Sequence, residues 1–256
     1  MSETVVRFSL RQRIEHFLVM TTFTLLALTG FPQKFYEAGW SHTVVAFFGG
    51  MERLRFVHRM CGLLFAALAI VHVTTIAAKL ARGTARPTLV PTRKDFTDAV
   101  LTLRYYLGLS ERHAAFDRFD YRQKFEYWGL LLGGVIMVLT GLVLYFPLVT
   151  VQWLPGEFVP AAKVAHSNEG LMAFLVVITW HIYNAHLSPD TFPFDTSIFT
   201  GRISRQRMEH EHPLELARLE GAVRGAPAGA AETDAHPGAP DERRPPAREA
   251  AHDGDG

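Results

Sequence analysis

The stretch KVAHSNEGLMAFLVVITWHIYNAHL, residues 163–187, decides how the rest of the chain is read. It is apolar over most of its length, yet His166 stands near its start and His181 and His186 near its end. As a helix it would be roughly 37 Å long, enough to cross a hydrocarbon core of about 30 Å. His181 follows His166 by 15 residues, which is roughly 22 Å along a helix axis. Ionisable side chains at such depths are costly and mark function by default.

Working outward, three more apolar runs are long enough to span a bilayer, giving spans at about 12–31, 54–80, 123–149 and 161–188. The charged start ahead of the first run is not read as a secretory signal, because the run is too long for an h-region and no A-x-A-like site comes after it. Ten Lys or Arg residues lie between Lys79 and Lys124, whereas the segment between the third and fourth runs offers only Lys163. Positive residues stay inside, so both termini are expected in the cytoplasm. Within the basic segment, Phe96, Ala99, Val100, Leu103 and Leu107 recur at helical spacing, predicting an interfacial helix at about 92–108 that lies against membrane lipid. Residues 221–256 are rich in Ala, Gly, Pro and charge and are expected to form a disordered tail after a 1–220 membrane domain.

Several function classes are excluded early. A single cysteine, Cys61, rules out a disulfide framework, Cys-rich zinc sites and a cysteine-held iron–sulfur cluster. No C-x-x-C-H, phosphate loop, nucleophile elbow or H-E-x-x-H is present. A net charge of +1 argues against nucleic acid as partner.

An internal repeat organises the rest. RQRIEHF at 11–17 is echoed by RQKFEYW at 122–128, and each leads at the same distance to Leu-Thr-Gly, ending at Gly30 and Gly141. His58-x-x-x-Gly62 and His166-x-x-x-Gly170 then open the next spans, each with another histidine, His72 or His181, about four turns later. The expected fold is all-α: an integral membrane four-helix bundle built from a tandem two-helix repeat.

The histidine spacings are 14 residues in the second span and 15 in the fourth, so each pair shares a helix face to within about 40–60°. Neutral imidazoles at matched depths on facing helices suit the axial positions of two stacked haems. The alternative for each residue alone is an interhelical hydrogen bond; four at matched depth favour ligation. His16 lies level with His72 and His181, so either His72 or His16 could stand opposite His181, and the repeat puts Tyr127 where His16 has its counterpart. Arg59, Arg55 and Arg13 lie where propionates would need partners.

The stretches RQRIEHF…LALTGF, FVHRMCG, RQKFEYW…VLTG and AHSNEG…WHIYNAH resemble the four-helix membrane cytochrome b subunits of formate dehydrogenases and nickel–iron hydrogenases. The segment FTGRISRQRMEHEHPLEL is similar to the tail of the cytochrome b/b6-domain branch. The resemblance covers about residues 7–216. It implies two non-covalent b haems, a quinone site near the cytoplasmic face, and the bacterial inner membrane as location. It also implies a periplasmic or membrane redox partner: an iron–sulfur, molybdenum-enzyme or multihaem cytochrome c subunit. By position, His58 and His166 would hold the outer haem, and in the formate dehydrogenase branch His16 with His181 would hold the inner one. This chain departs from that pattern by adding His72 and by lengthening the fourth-span spacing by one residue. Its spacings are instead similar to the cytochrome b of bc-type complexes, where two helices supply all four ligands, and the balance leans to His72.

The expected function is therefore an electron-transfer subunit of a respiratory oxidoreductase, passing electrons between quinone and a partner subunit rather than acting as a stand-alone enzyme. Asn184, His186 and the Tyr105–Tyr106 pair are candidate quinone neighbours or else ordinary interfacial residues, and Glu15 and Glu169 are candidate proton relays or else partners of nearby Arg or His. The competing classes are a haem-free transporter with a histidine proton relay and a passive membrane anchor.

Overall fold

A computed structural model describes residues 3–189 and 191–225. Its frame is four long helices: α1 (Leu10–Lys34), α3 (Met51–Ala81), α5 (Tyr121–Tyr145) and α7 (Phe158–Leu187). At 1.5 Å per residue the shortest is roughly 37 Å long. All four are long and apolar enough to cross a membrane. Large apolar side chains such as Phe17, Ile70, Leu139 and Val164 point outward and are half or more exposed, the reverse of a water-soluble bundle and the arrangement that lipid demands. α1 packs chiefly on α3 and α5 on α7, and α1–α7 and α3–α5 contacts close the cycle, leaving α3 and α7 diagonal to each other.

Local chemistry sets the helix starts. Ser9 caps α1 and Asp120 caps α5, each accepting from the backbone N–H three residues on, while Gln12 and Gln123 reach back to complete the capping boxes. The glutamine shared by RQRIEHF and RQKFEYW therefore has the same structural use in both. Short helices α2 (Gly39–Phe47) and α6 (Pro147–Trp153) turn the chain at one end of the bundle, here called the hairpin end. The third apolar run was expected to continue to 149, but α5 stops at Tyr145. Pro147 denies helical geometry to Phe146 and opens α6 instead.

The helix expected at about 92–108 is α4 (Arg93–Tyr106), on which Phe96 and Leu103 are exposed and Asp98 and Thr102 buried. Lys124 of α5 pins it through an ion pair of 2.8 Å with Asp95.

At the opposite, terminal end the chain builds a folded cap that the sequence did not announce. Strand β1 (Thr4–Val6) pairs antiparallel with β2 (Arg202–Ser204), flanked by α8 (Ser197–Thr200) and α9 (Arg205–Glu211). Gly201 (φ +81°) joins α8 to β2; a Cβ there would lie 2.8 Å from the Phe8 carbonyl oxygen, so both conformation and space require glycine. Ile203, Met208 and Leu216 form the cap's apolar core. Beneath it Arg7 is buried against Glu215, which also takes Arg118 at 2.6 Å. Helix α10 (Pro213–Gly225) includes the first residues of the expected tail; the rest of that tail lies outside the described residues.

Candidate functional site

Four of the candidate histidines fall into two ring pairs at two levels of the bundle. At the hairpin end, His58 of α3 faces His166 of α7 with ring centres 6.2 Å apart. At the terminal end, His16 of α1 faces His181 of α7 at 6.1 Å. An imidazole nitrogen binds a transition metal at about 2 Å with its ring centre about 1.1 Å behind it, so two trans imidazoles on one metal stand about 6.3 Å apart. Both pairs match that separation. Among the described residues no group of three or more His, Cys, Asp or Glu could hold a bare ion. Two trans nitrogens fit an iron whose other positions come from a macrocycle.

The surroundings of the hairpin-end pair set the tautomer. Thr29 donates its hydroxyl hydrogen to the Leu25 carbonyl at 2.6 Å and lies 2.9 Å from His58 Nδ1. With its hydrogen committed, the hydroxyl accepts from Nδ1–H and leaves the Nε2 lone pair for a metal. Thr140 repeats the arrangement, donating to Ile136 O at 2.6 Å and standing 3.0 Å from His166 Nδ1. A Cβ on Gly30 or on Gly141 would lie 3.2 Å from Cε1 of His58 or His166; the two glycines of the repeated Leu-Thr-Gly thus let both rings lie close against the neighbouring backbone.

At the terminal end a carboxylate replaces the threonine. Glu126 Oε1 lies 2.5 Å from His181 Nδ1. His72, the ligand the spacing favoured, does not join this pair. Its Nδ1 is 3.2 Å from Glu15 Oε2 and its Nε2 is 3.2 Å from the Tyr127 hydroxyl, so both of its nitrogens are engaged. Spacing alone made His72 and His181 mates; α3 and α7 do meet through His58 and His166, but at the terminal end His72 is held by Glu15 and Tyr127 and it is His16 of α1 that faces His181. The one-residue difference between the spacings is absorbed where α7 widens into a π-helical turn over Val177–His181; a second such turn, Tyr183–Leu187, follows His181. A π turn takes one extra residue without rotating the next turn off its face.

The other candidates disperse. The Arg59 guanidinium lies over the Tyr145 ring at 5.0 Å, at the hairpin end. Arg13 donates to the Phe199 carbonyl in the cap, and its Nε is buried without a hydrogen-bond partner. His186 stacks on Phe194 at 4.1 Å with planes 3° apart, and its Nδ1 is buried and unpartnered. Asn184 donates to Trp180 O at 2.8 Å. Tyr105 and Tyr106 belong to α4, away from the paired rings of the bundle interior. Glu169 lies against α5, its Oε1 only 2.5 Å from where a Cβ on Gly133 would stand. Pairing of Glu15 with a nearby Arg or His is one of the two readings of the chain, and Glu15 stands against both Arg11 and His72; the use of Glu126 was not foreseen, although its matched place in the repeat was a usable signal.

A four-span helical protein carrying two facing imidazole pairs belongs to the class of membrane b-type cytochromes. The profile of the prokaryotic cytochrome b561 family matches residues 7–189, and the chain belongs to that family. It is also 22% identical over 222 residues to the "Formate dehydrogenase, nitrate-inducible, cytochrome b556(Fdn) subunit" of Escherichia coli K12, covering 86% of this chain and 94% of the relative. The corresponding proteins of Escherichia coli O157:H7 and Shigella flexneri match equally. The protein is a multi-pass bacterial membrane cytochrome b of respiratory electron transfer, and haem b is the group its family implies.

Proposed function

We propose that the chain is a di-haem subunit that relays electrons between a membrane quinone and a partner redox subunit. His58 and His166 hold the haem at the hairpin end, and His16 and His181 the one at the terminal end. The observation that carries this reading is the pair of ring separations, 6.2 and 6.1 Å, at two levels of one bundle. Bound there, haem b supplies one-electron carriage by cycling between ferric and ferrous iron. The chain's own residues do the rest. Thr29, Thr140 and Glu126 orient the ligand rings, and the apolar helices exclude water from the path. Arg59 at the hairpin end is suited to propionate charge; Arg13 has a free buried Nε but is otherwise tied into the cap.

The basic 79–124 segment supports a cytoplasmic terminal end, an inner-membrane location and a hairpin end that faces the periplasm. The matched Thr–His and Glu–His pairs support the tandem two-helix repeat. Quinone binds at the terminal end, where His186 Nδ1 offers a buried polar atom without a partner beside Phe194 and Phe199. Formate dehydrogenase membership of the relatives supports a periplasmic or membrane partner of the iron–sulfur, molybdenum-enzyme or multihaem cytochrome c kind. The helix α4 keeps its apolar face, with Phe96 and Leu103, to lipid.

The test is a haem-to-protein ratio with reduced-minus-oxidised spectra on the purified protein. About two b haems are expected in the wild type and one each in His16→Ala and His58→Ala, with no loss in His72→Ala. A haem lost in His72→Ala and retained in His16→Ala would overturn the terminal-end assignment.

A further inference from the structure

The terminal end contains a second constellation built on the same plan as the first. Glu126 sits against His181 Nδ1, and His181 faces His16. Glu15 sits against His72 Nδ1, and His72 faces Tyr127 with ring centres 5.9 Å apart. The correspondence is residue for residue. Glu15-His16 and Glu126-Tyr127 occupy equivalent places in the repeated motif, and His16 and Tyr127 are each the seventh residue of their helices. One constellation bridges α1 to α7 and the other α3 to α5, on opposite sides of the same interior. Packed helices lie about 8–10 Å apart, so a four-helix bundle has a single interior at each level. Two macrocycles cannot share it.

We propose that Tyr127 decides on which side of the bundle the terminal-end haem sits, by closing a second seat that His72 would otherwise offer. This rests on the reading of His16 and His181 as ligands. Closure is a matter of hydrogen bonding. The Glu15 carboxylate accepts from His72 Nδ1–H, as Glu126 is placed to do for His181. This tautomer leaves the His72 Nε2 lone pair, the atom that would bind iron, and the Tyr127 hydroxyl donates to it at 3.2 Å. His181 faces an imidazole, which brings no such hydroxyl to its Nε2. The difference between an open and a closed seat is thus one ring on one helix: imidazole on α1, phenol on α5. Tyr127 is a positioning residue for the cofactor and need not touch it.

The experiment exchanges the rings in the full-length, haem-loaded protein. His16→Ala alone is expected to lower the haem-to-protein ratio from about two to about one. Adding Tyr127→His to His16→Ala is expected to restore about two. The regained haem should then be lost on further His72→Ala and kept on further His181→Ala. Retention of the hairpin-end haem spectrum in every variant reports an intact bundle. A double variant that holds only the hairpin-end haem overturns the proposal, as does a regained haem that depends on His181. In the otherwise wild-type protein Tyr127→Phe should keep both haems with unchanged spectra; loss of a haem there would make the tyrosine part of the occupied site and also overturn the proposal. A wild type lacking two haems, or a terminal-end haem that survives His16→Ala, would overturn the underlying reading and the proposal with it.

Discussion

The threonine hydroxyls beside His58 and His166 fix a tautomer, and their loss has a measurable cost. Thr29→Val or Thr140→Val keeps the side-chain volume and removes the Nδ1 acceptor. Outer-shell partners of metal ligands are typically worth about 10–100-fold in affinity, so either variant should lose the hairpin-end haem that much more readily to a haem-scavenging apoprotein. Unchanged retention would show that packing alone holds the rings. The adjacent glycines give a steric counterpart. A methyl on Gly30 or Gly141 would stand 3.2 Å from a rigid imidazole carbon, whereas one on Gly39 would meet nothing within 4 Å. Gly30→Ala and Gly141→Ala should therefore shift or deplete the hairpin-end haem spectrum, and Gly39→Ala should leave it alone. The recurrence of Leu-Thr-Gly was legible in the chain; that its threonines face the ligand rings and that its glycines clear them became visible only with the fold. The terminal-end pair stands open in the chain between His16 and His72: the resemblance to the formate dehydrogenase branch names His16, while the spacing leans to His72. Helical spacing tells which residues share a face but not which neighbouring helix that face meets.

Among the elements, α7 depends most on a departure from ideal geometry. An uninterrupted α-helix would rotate His181 by about 100° for one added residue; the π-helical turns at Val177–His181 take up that residue locally. Deleting Ile178 should let the segment relax to α-helical hydrogen bonding with His181 still facing His16, and the haem-to-protein ratio should stay near two. A haem lost on deletion would mean that the widened turn itself shapes the seat. The capping boxes make a smaller prediction. Gln12→Ala or Gln123→Ala should cost about 1 kcal/mol or less, visible as faster amide exchange in the first turn of α1 or α5 and nowhere else. The four spans were readable from apolar run length, whereas the end of α5 was not, because the apolar run continues past the break that Pro147 imposes.

For the whole molecule, the cap is the part that answers to pH. His212 is buried beside the Arg7 guanidinium, and its pKa is depressed to about 3, chiefly by burial. It stays neutral, Nδ1 at 2.7 Å from the Asp117 carbonyl and Nε2 at 3.1 Å from Arg7. The unfolded segment takes up a proton at ordinary histidine pKa while the folded cap does not. The stabilisation is therefore complete above about 6.5 and is lost as pH falls toward 3, by up to about 2 kcal/mol at pH 5. Limited proteolysis of the cap should accelerate between pH 7.5 and pH 5, and His212→Gln should flatten that dependence. Glu215→Ala leaves the Arg7 charge buried, its pKa already lowered by burial to about 10, without its carboxylate. Such losses cost about 3–5 kcal/mol and should expose the cap to protease at neutral pH. None of this was visible in the sequence, since the cap's ion pairs join residues 208 and 97 positions apart in the chain.

That separation has a consequence for how the protein is made. Strand β1 leaves the ribosome roughly 200 residues ahead of its partner and can pair only when Arg202–Ser204 has emerged. At about 5–20 residues per second the wait is roughly 10–40 s, and the four apolar helices are synthesised within it. The two-stranded clasp thus closes only after the four apolar helices between its strands have been made, and a nascent protein with one of those spans misplaced would carry its two strands to opposite sides of the bilayer and never fasten.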